Sequence, residues 1–147
     1  VAIGLPAKPS IESKLPNGQE IGYFTFGDFG VNVYGDGLIT TEKMWRERPG
    51  DMKAFVQATM KGCKDAFADP VVGAAAMTKY YPEMDRALAV KELDLIRDVA
   101  VGKTQKEKGL GYHDPAKFKA THDVVTGLLG QPIAKPASEF FTNAAFV

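Results

Sequence analysis

Cysteine is almost absent from this chain, and the single Cys63 excludes an intrachain disulfide. That usage fits a reducing compartment, or a secreted protein that needs no staple. Net charge is lacking as well. Eighteen basic and eighteen acidic side chains cancel, so no global field draws the chain to nucleic acid or to an anionic membrane. No apolar run approaches the length of a membrane span. Histidine is scarce: His113 and His122 stand nine positions apart. Metal sites place histidines closer together or pair them with cysteines, so no metal ligand set is read here. The chain holds no G-x-S-x-G elbow. Gly35-Asp36-Gly37 and Gly109-Leu110-Gly111 lack the spacing of a dinucleotide or phosphate loop. It begins at Val1, without methionine or a charged-then-apolar leader, and is expected to be a processed chain or a fragment of a longer one.

What is present suits one soluble globular domain: 147 residues, 45% hydrophobic and 24% charged. The stretch Gly22–Thr41 organises the rest. Two β-type runs, Tyr23–Phe26 and Val31–Tyr34 with Leu38–Thr40, flank a turn centred on Gly27-Asp28-Phe29-Gly30. Ahead of it, Val1–Pro6 reads as a strand running into a turn, and Ala7–Leu15 as a short helix. A strand, helix, strand order predicts part of an α/β layer.

After Thr41 the pattern turns helical. Thr41 is a predicted N-cap for a helix to Arg48, which Pro49-Gly50 interrupts. Asp51–Ala68 carries the clearest apolar stripe: Met52, Phe55, Val56, Met60, Cys63 and Phe67. Cys63 within that stripe reads as a packed thiol, not a nucleophile. Asp69-Pro70 and Asp114-Pro115 each open a helix with a cap followed by proline, the first running Val71–Tyr80 and the second to Leu129. Between them lies Asp85–Val101, with Ala89, Leu93, Ile96 and Ala100 on one face. Lys103–Gly111 is predicted to be an exposed loop, and Ser138–Asn143 a short terminal helix. His122 falls on a helix stripe and reads as half-buried and satisfied; His113, before a cap, reads as solvent-facing.

Several segments taken together resemble the NMT1/THI5-like substrate-binding proteins of ABC importers. The text that carries the resemblance is Gly27-Asp28-Phe29-Gly30-Val31, Tyr34–Ile39, Met44–Pro49, Met52–Gly62, Ala66–Pro70, Lys79–Pro82 and Phe141-Thr142-Asn143. The resemblance implies an α/β fold: the helix-rich C-terminal portion of a type II periplasmic-binding-protein fold, with few strands and about six helices. It also implies a division. Residues 1–30 would end the second lobe and approach the hinge, while residues 31–147 would supply a crossing strand and helices that pack on a first lobe absent from the chain. Left alone, such helices expose apolar faces and an unpaired strand edge, so self-association, or a missing N-terminal half as partner, is expected.

By the same resemblance, the chain is a non-enzymatic solute-binding component that docks on ABC permease subunits, in a periplasmic or other extracytoplasmic location. No cofactor, catalytic residue, metal or nucleic-acid partner is expected. The solute is small and planar or anionic, such as a thiamine-pyrimidine precursor, nitrate or a sulfonate. Ligand contacts are expected at Lys8, Asp28, Phe29, Tyr34 and Asp36. Phe29 and Tyr34 would stack on a planar ring, with ordinary packing as the alternative for both. Asp28 or Asp36 would accept from an amino group, where turn chemistry is the competing account. Many relatives carry an acidic residue before the early proline. Lys8-Pro9 departs from that and favours an anionic group. Two other readings stand beside this one: an enzyme of the pyrimidine-synthase branch, whose cysteine-rich iron motif is missing here, and a helical interaction module without ligand.

Overall fold

Side-chain caps fix where the helices begin. Asp69 Oδ1 accepts from the Val71 and Val72 N–H groups at 3.1 and 3.0 Å. Asp114 Oδ1 accepts likewise from Ala116 and Lys117. Asp85 Oδ1 takes the Leu88 N–H at 3.0 Å, and Thr41 Oγ1 takes that of Met44 at 3.1 Å. Each side chain satisfies amides that a helix start leaves without carbonyl partners. The computed structural model describes residues 4–128 and 130–146. Over these the α-helices are α1 Lys8–Glu12, α2 Glu42–Glu47, α3 Pro49–Ala68, α4 Pro70–Thr78, α5 Arg86–Ala100, α6 Lys103–Lys108 and α7 Pro115–Gly127. Short 3-10 turns stand at Leu5–Ala7, Pro16–Gly18, Phe26–Phe29, Ala137–Glu139 and Ala144–Phe146.

The centre is where α3, α4 and α5 pack together. Ala74, Ala89 and Leu93 are 0%, 1% and 8% exposed, and half-buried Ala66, Phe67, Met84 and Val90 surround them. Small residues let the α3–α4 corner close tightly. A Cβ added at Gly73 would stand 2.8 Å from Ala66 Cβ and 3.0 Å from its Cα. On this centre, α1 and the turn before it lie against α5, while the turn Ala144–Phe146 lies against α3. The core is small for the chain. Total exposed surface is 10872 Å², where the surface scaling of compact monomers gives about 7,400 Å² at this mass.

The fold is helix-rich, as expected, but the anticipated strands do not form among the described residues. Residues 19–25 and 31–41 form no helix or paired strand on either side of the Phe26–Phe29 turn, with extended backbone at Gln19, Thr25 and Thr41. A strand is a paired element, whereas here backbone groups that bond outside the turn go to side chains instead of a neighbouring strand. Ile21 N–H goes to Glu12 Oε1, Thr25 N–H to Asp28 Oδ2 and Tyr34 N–H to Thr121 Oγ1. The first predicted strand partly lies outside the described residues; its Leu5-Pro6 end falls in the 3-10 turn Leu5–Ala7.

Three further readings are corrected. The break after Arg48 stands, but Pro49 also opens α3, two residues before the expected Asp51, since the first helical position needs no N–H bond. Lys103–Lys108 is helix α6, not a loop: it shows no apolar stripe, and its order comes from polar fastenings. Thr104 Oγ1 bonds Asp114 Oδ2 and Gln105 Nε2 bonds the Tyr112 carbonyl, both at 3.2 Å. The predicted terminal helix is only the turn Ala137–Glu139, because Asn143 is held by His113 instead of continuing a helix. Leu129, named as a helix end, lies outside the described residues.

Candidate functional site

The sequence-predicted ligand residues fall in separate places. Lys8 is the first residue of α1, and its Nζ pairs with Glu12 Oε1 at 2.6 Å, one turn along. The same Glu12 oxygen accepts from the Ile21 N–H at 2.9 Å, which folds the following extended segment back over α1. The Lys8 hydrogen bond, followed by that from Ile21, holds the Glu12 carboxyl below its ordinary range. Its partner is shifted the other way, with the bond to Glu12 raising the Lys8 ammonium. Both groups are therefore charged at neutral pH.

Between α1 and α5 this pair borders an open groove of about 310 Å³, lined by Lys8, Pro9, Glu12, Tyr23, Lys91, Asp94, Leu95 and Asp98. Buried Pro9 and half-buried Leu95 supply apolar surface. Tyr23 is 52% exposed, so much of its ring is accessible. Carboxylates outnumber ammonium groups on the walls, three to two. Arg97 reaches Asp94 at 2.7 Å and Asp98 at 3.2 Å, and the bond to Asp98 is the main cause raising its guanidinium. Past that arginine a second hollow of about 330 Å³ is lined by Arg97, Asp98, Val101 and Lys106. The groove thus combines an exposed ring with walls of mixed charge.

Tyr34 sits elsewhere, in an aromatic cluster. Its ring centroid lies 5.3 Å from that of His113 and 6.2 Å from that of Phe118, with Lys117 Nζ 4.7 Å from its own. The Tyr34 hydroxyl accepts from the Asp114 N–H at 2.8 Å. Phe141 stacks on His113 and meets Phe118 at 4.5 Å. His113, expected to face solvent, is instead drawn inward, because Asn143 bonds both its N–H and its carbonyl at 2.9 and 2.8 Å. Its Nδ1 is buried without a hydrogen-bond partner. Burial pulls the imidazole below its ordinary value, and the nearby Gly111 backbone opposes that shift. Tyr34 thus ties the extended segment to α7 and to the C-terminal residues.

Asp28 and Phe29 lie on the turn between the extended segments. Asp28 and Thr25 form a reciprocal capping box, which holds the Asp28 carboxyl below its usual range, chiefly through the Thr25 N–H. Gly30 follows at φ 83°, a left-handed conformation that closes the turn. Phe29 is 71% exposed and meets Phe24 edge-on at 6.0 Å. Asp36 is exposed on the second extended segment. No hydrogen bond, ion pair or ring contact between described residues joins Lys8, Tyr34, Asp36 and the Asp28–Phe29 turn to one another.

The groove residues on α5 escaped sequence reasoning. Lys91, Asp94, Leu95 and Asp98 share one helical face at spacings of three, four and seven, a pattern that reads as an ordinary solvated face. The other histidine behaves as expected. His122 is half-buried, with Nε2 3.0 Å from the Lys135 carbonyl oxygen. Among the described residues, no group of three or more His, Cys, Asp and Glu side chains is placed to hold a metal ion.

An α-helical scaffold with an open groove of mixed charge is one kind of framework for holding a small solute. Residues 7–72 match the family model described as NMT1/THI5 like. That family covers solute-binding proteins of ABC importers. The matched segment runs from just before α1 into the start of α4, so it includes every sequence-predicted ligand residue and the Lys8, Glu12 and Tyr23 side of the groove. No curated protein and no solved structure matches the chain.

Proposed function

We propose that this chain serves as a solute-binding component of an ABC importer, without catalysis of its own. The match of residues 7–72 to the NMT1/THI5-like family carries this reading. With it goes the finer fold assignment, the helix-rich part of a type II periplasmic-binding-protein architecture in which residues 19–41 are the strand-forming part. Permease subunits are the partners, and the location is extracytoplasmic. Among the described residues, no helix is long and apolar enough to cross a membrane.

The exposed Tyr23 ring beside Lys8 favours a planar solute of the pyrimidine type. Charge on the walls is balanced, with Glu12 held by Lys8 and Asp94 and Asp98 held by Arg97. Tyr23 offers a stacking face. An open half-groove buries a modest share of any ligand, so the expected Kd is about 1 mM, or roughly −4 kcal/mol. Calorimetric titration with an aminopyrimidine, nitrate and a short alkyl sulfonate tests the assignment. Measurable heat with the aminopyrimidine, lost in Tyr23→Ala, supports it. Preference for either anion overturns the ligand class, and no response to any of the three removes support for solute binding.

A further inference from the structure

Pro16-Asn17-Gly18-Gln19 turns the chain back toward α1. Asn17 stands at φ 58° and ψ 25°, Gly18 follows at φ 66°, and the Gln19 N–H closes on the Pro16 carbonyl at 3.3 Å. Two consecutive left-handed residues make this a type I′ turn. Both are exposed, and Asn17 is the one non-glycine residue at positive φ among the described residues. No hydrogen bond to a described residue holds the Asn17 carboxamide. No heavy atom lies within 4 Å of the place that a Gly18 Cβ would occupy. The other two asparagines are protected in different ways. Asn143 is clamped, with Oδ1 accepting from the His113 N–H at 2.9 Å and Nδ2 donating to its carbonyl at 2.8 Å. Asn32 precedes Val33, whose branched side chain shields the nitrogen that follows the asparagine.

We propose that Asn17-Gly18 is a self-modification site, where Asn17 converts to aspartate and isoaspartate and the isoaspartate form releases residues 19–25 from α1. The Gly18 backbone nitrogen, having lost its proton, attacks Asn17 Cγ. The new C–N bond closes a five-membered imide, the Cγ–Nδ2 bond breaks, and ammonia leaves with the proton. Nucleophile and carbonyl belong to adjacent residues, so the closure is intramolecular, and glycine leaves the nitrogen unshielded. Water then opens the imide. Breaking the new bond gives aspartate; breaking the original peptide bond gives isoaspartate, with the main chain now routed through Cβ and Cγ. Nothing is oxidised or reduced. The isoaspartate route adds one atom to the backbone inside a turn that a single bond closes. Four residues beyond Asn17, the Ile21 N–H is held on Glu12 Oε1 at 2.9 Å, and a longer turn carries it away. Tyr23 lies on the same segment and lines the groove beside Lys8, so the modification alters that groove.

Incubation of the intact, folded chain at mildly alkaline pH, followed by peptide mapping with mass spectrometry, tests the site. The expected result is release of ammonia and a gain of about one mass unit confined to the peptide that carries Asn17. Part of that product should resist cleavage before aspartate, which marks isoaspartate. The formal net charge of the chain, zero at the start, should fall by one. Asn17→Gly keeps a residue that accepts positive φ but removes the carboxamide, and should abolish the ammonia release. Hydrogen exchange reads the second half of the proposal. In the isoaspartate form, isolated by chromatography, the Ile21 amide should exchange about tenfold faster or more, as expected for losing a bond to a carboxylate. Freshly prepared Asn17→Asp adds the same charge without the extra backbone atom and should keep Ile21 protected. Absence of ammonia release, or equal conversion at Asn32 or Asn143, overturns the site. Unchanged Ile21 exchange in the isoaspartate form, or equal loss of protection in Asn17→Asp, overturns the release.

Discussion

Gly73 and Gly62 are both interior helix glycines, and replacing each by alanine should move stability in opposite directions. In an exposed helix the change gains about 1 kcal/mol, because alanine loses less backbone entropy on folding. Gly62 on α3 has nothing within 4 Å of an added Cβ, so Gly62→Ala should show most of that gain. At Gly73 on α4 the new methyl meets Ala66 Cβ at 2.8 Å, Ala66 Cα at 3.0 Å and Leu93 Cδ1 at 3.2 Å. One of these is backbone, so relief requires α3 and α4 to separate, not a rotamer change. Overpacking of this kind costs about 1–3 kcal/mol. Set against the propensity gain, Gly73→Ala should be neutral to about 2 kcal/mol destabilising, and roughly 1–3 kcal/mol worse than Gly62→Ala. Urea unfolding followed by circular dichroism at low protein concentration measures both. In thermal melts each kcal/mol corresponds to a shift of about 2–4 °C for a chain of this size. Equal stabilisation by the two substitutions would refute the close α3–α4 contact.

The remaining predictions probe caps, the aromatic cluster and pH. Asp69→Ala strips the cap from two amides of α4 and should cost about 1 kcal/mol in the same urea assay. Tyr34→Phe leaves the Asp114 N–H without its acceptor while keeping the ring, for a loss of about 1 kcal/mol; no change in Cm would discount that bond. His113 has a folded-state value lowered by burial, so its contribution is full above the unfolded value near 6.5 and is lost as pH falls through it toward the folded value. Stability profiles of the native chain and His113→Gln should therefore diverge from about pH 6.5 downward. Asp28 and Asp114 also have lowered values, so their contributions persist above the usual aspartate range and fade below about pH 4. Asp28→Asn should flatten part of that acid limb.

Helix positions were legible in the sequence because their signals are local. Asp69-Pro70, Asp114-Pro115 and Thr41 each combine a cap with the start of a helical pattern, and each caps a helix in the structure. Strands were over-read for the complementary reason. Tyr-Phe-Thr-Phe at 23–26 and Val-Asn-Val-Tyr at 31–34 have strand composition, but pairing depends on a neighbour that composition does not supply. The candidate groove was half visible. Lys8 was singled out beside its proline, whereas Lys91, Asp94 and Asp98 join it only through the packing of α1 on α5. His113 shows the same limit. Asn143, thirty residues later, turns it inward, and nothing near His113 in the sequence announces that bond.

Amide chemical-shift mapping of the isotopically labelled chain during titration with an aminopyrimidine tests solute binding most directly. The account predicts saturable shifts with a Kd of about 1 mM, concentrated at residues 8–12, 23 and 91–98 and absent from the Tyr34–His113 cluster. Shifts centred on that cluster, or no saturable shift anywhere with any of the three solutes, would contradict it.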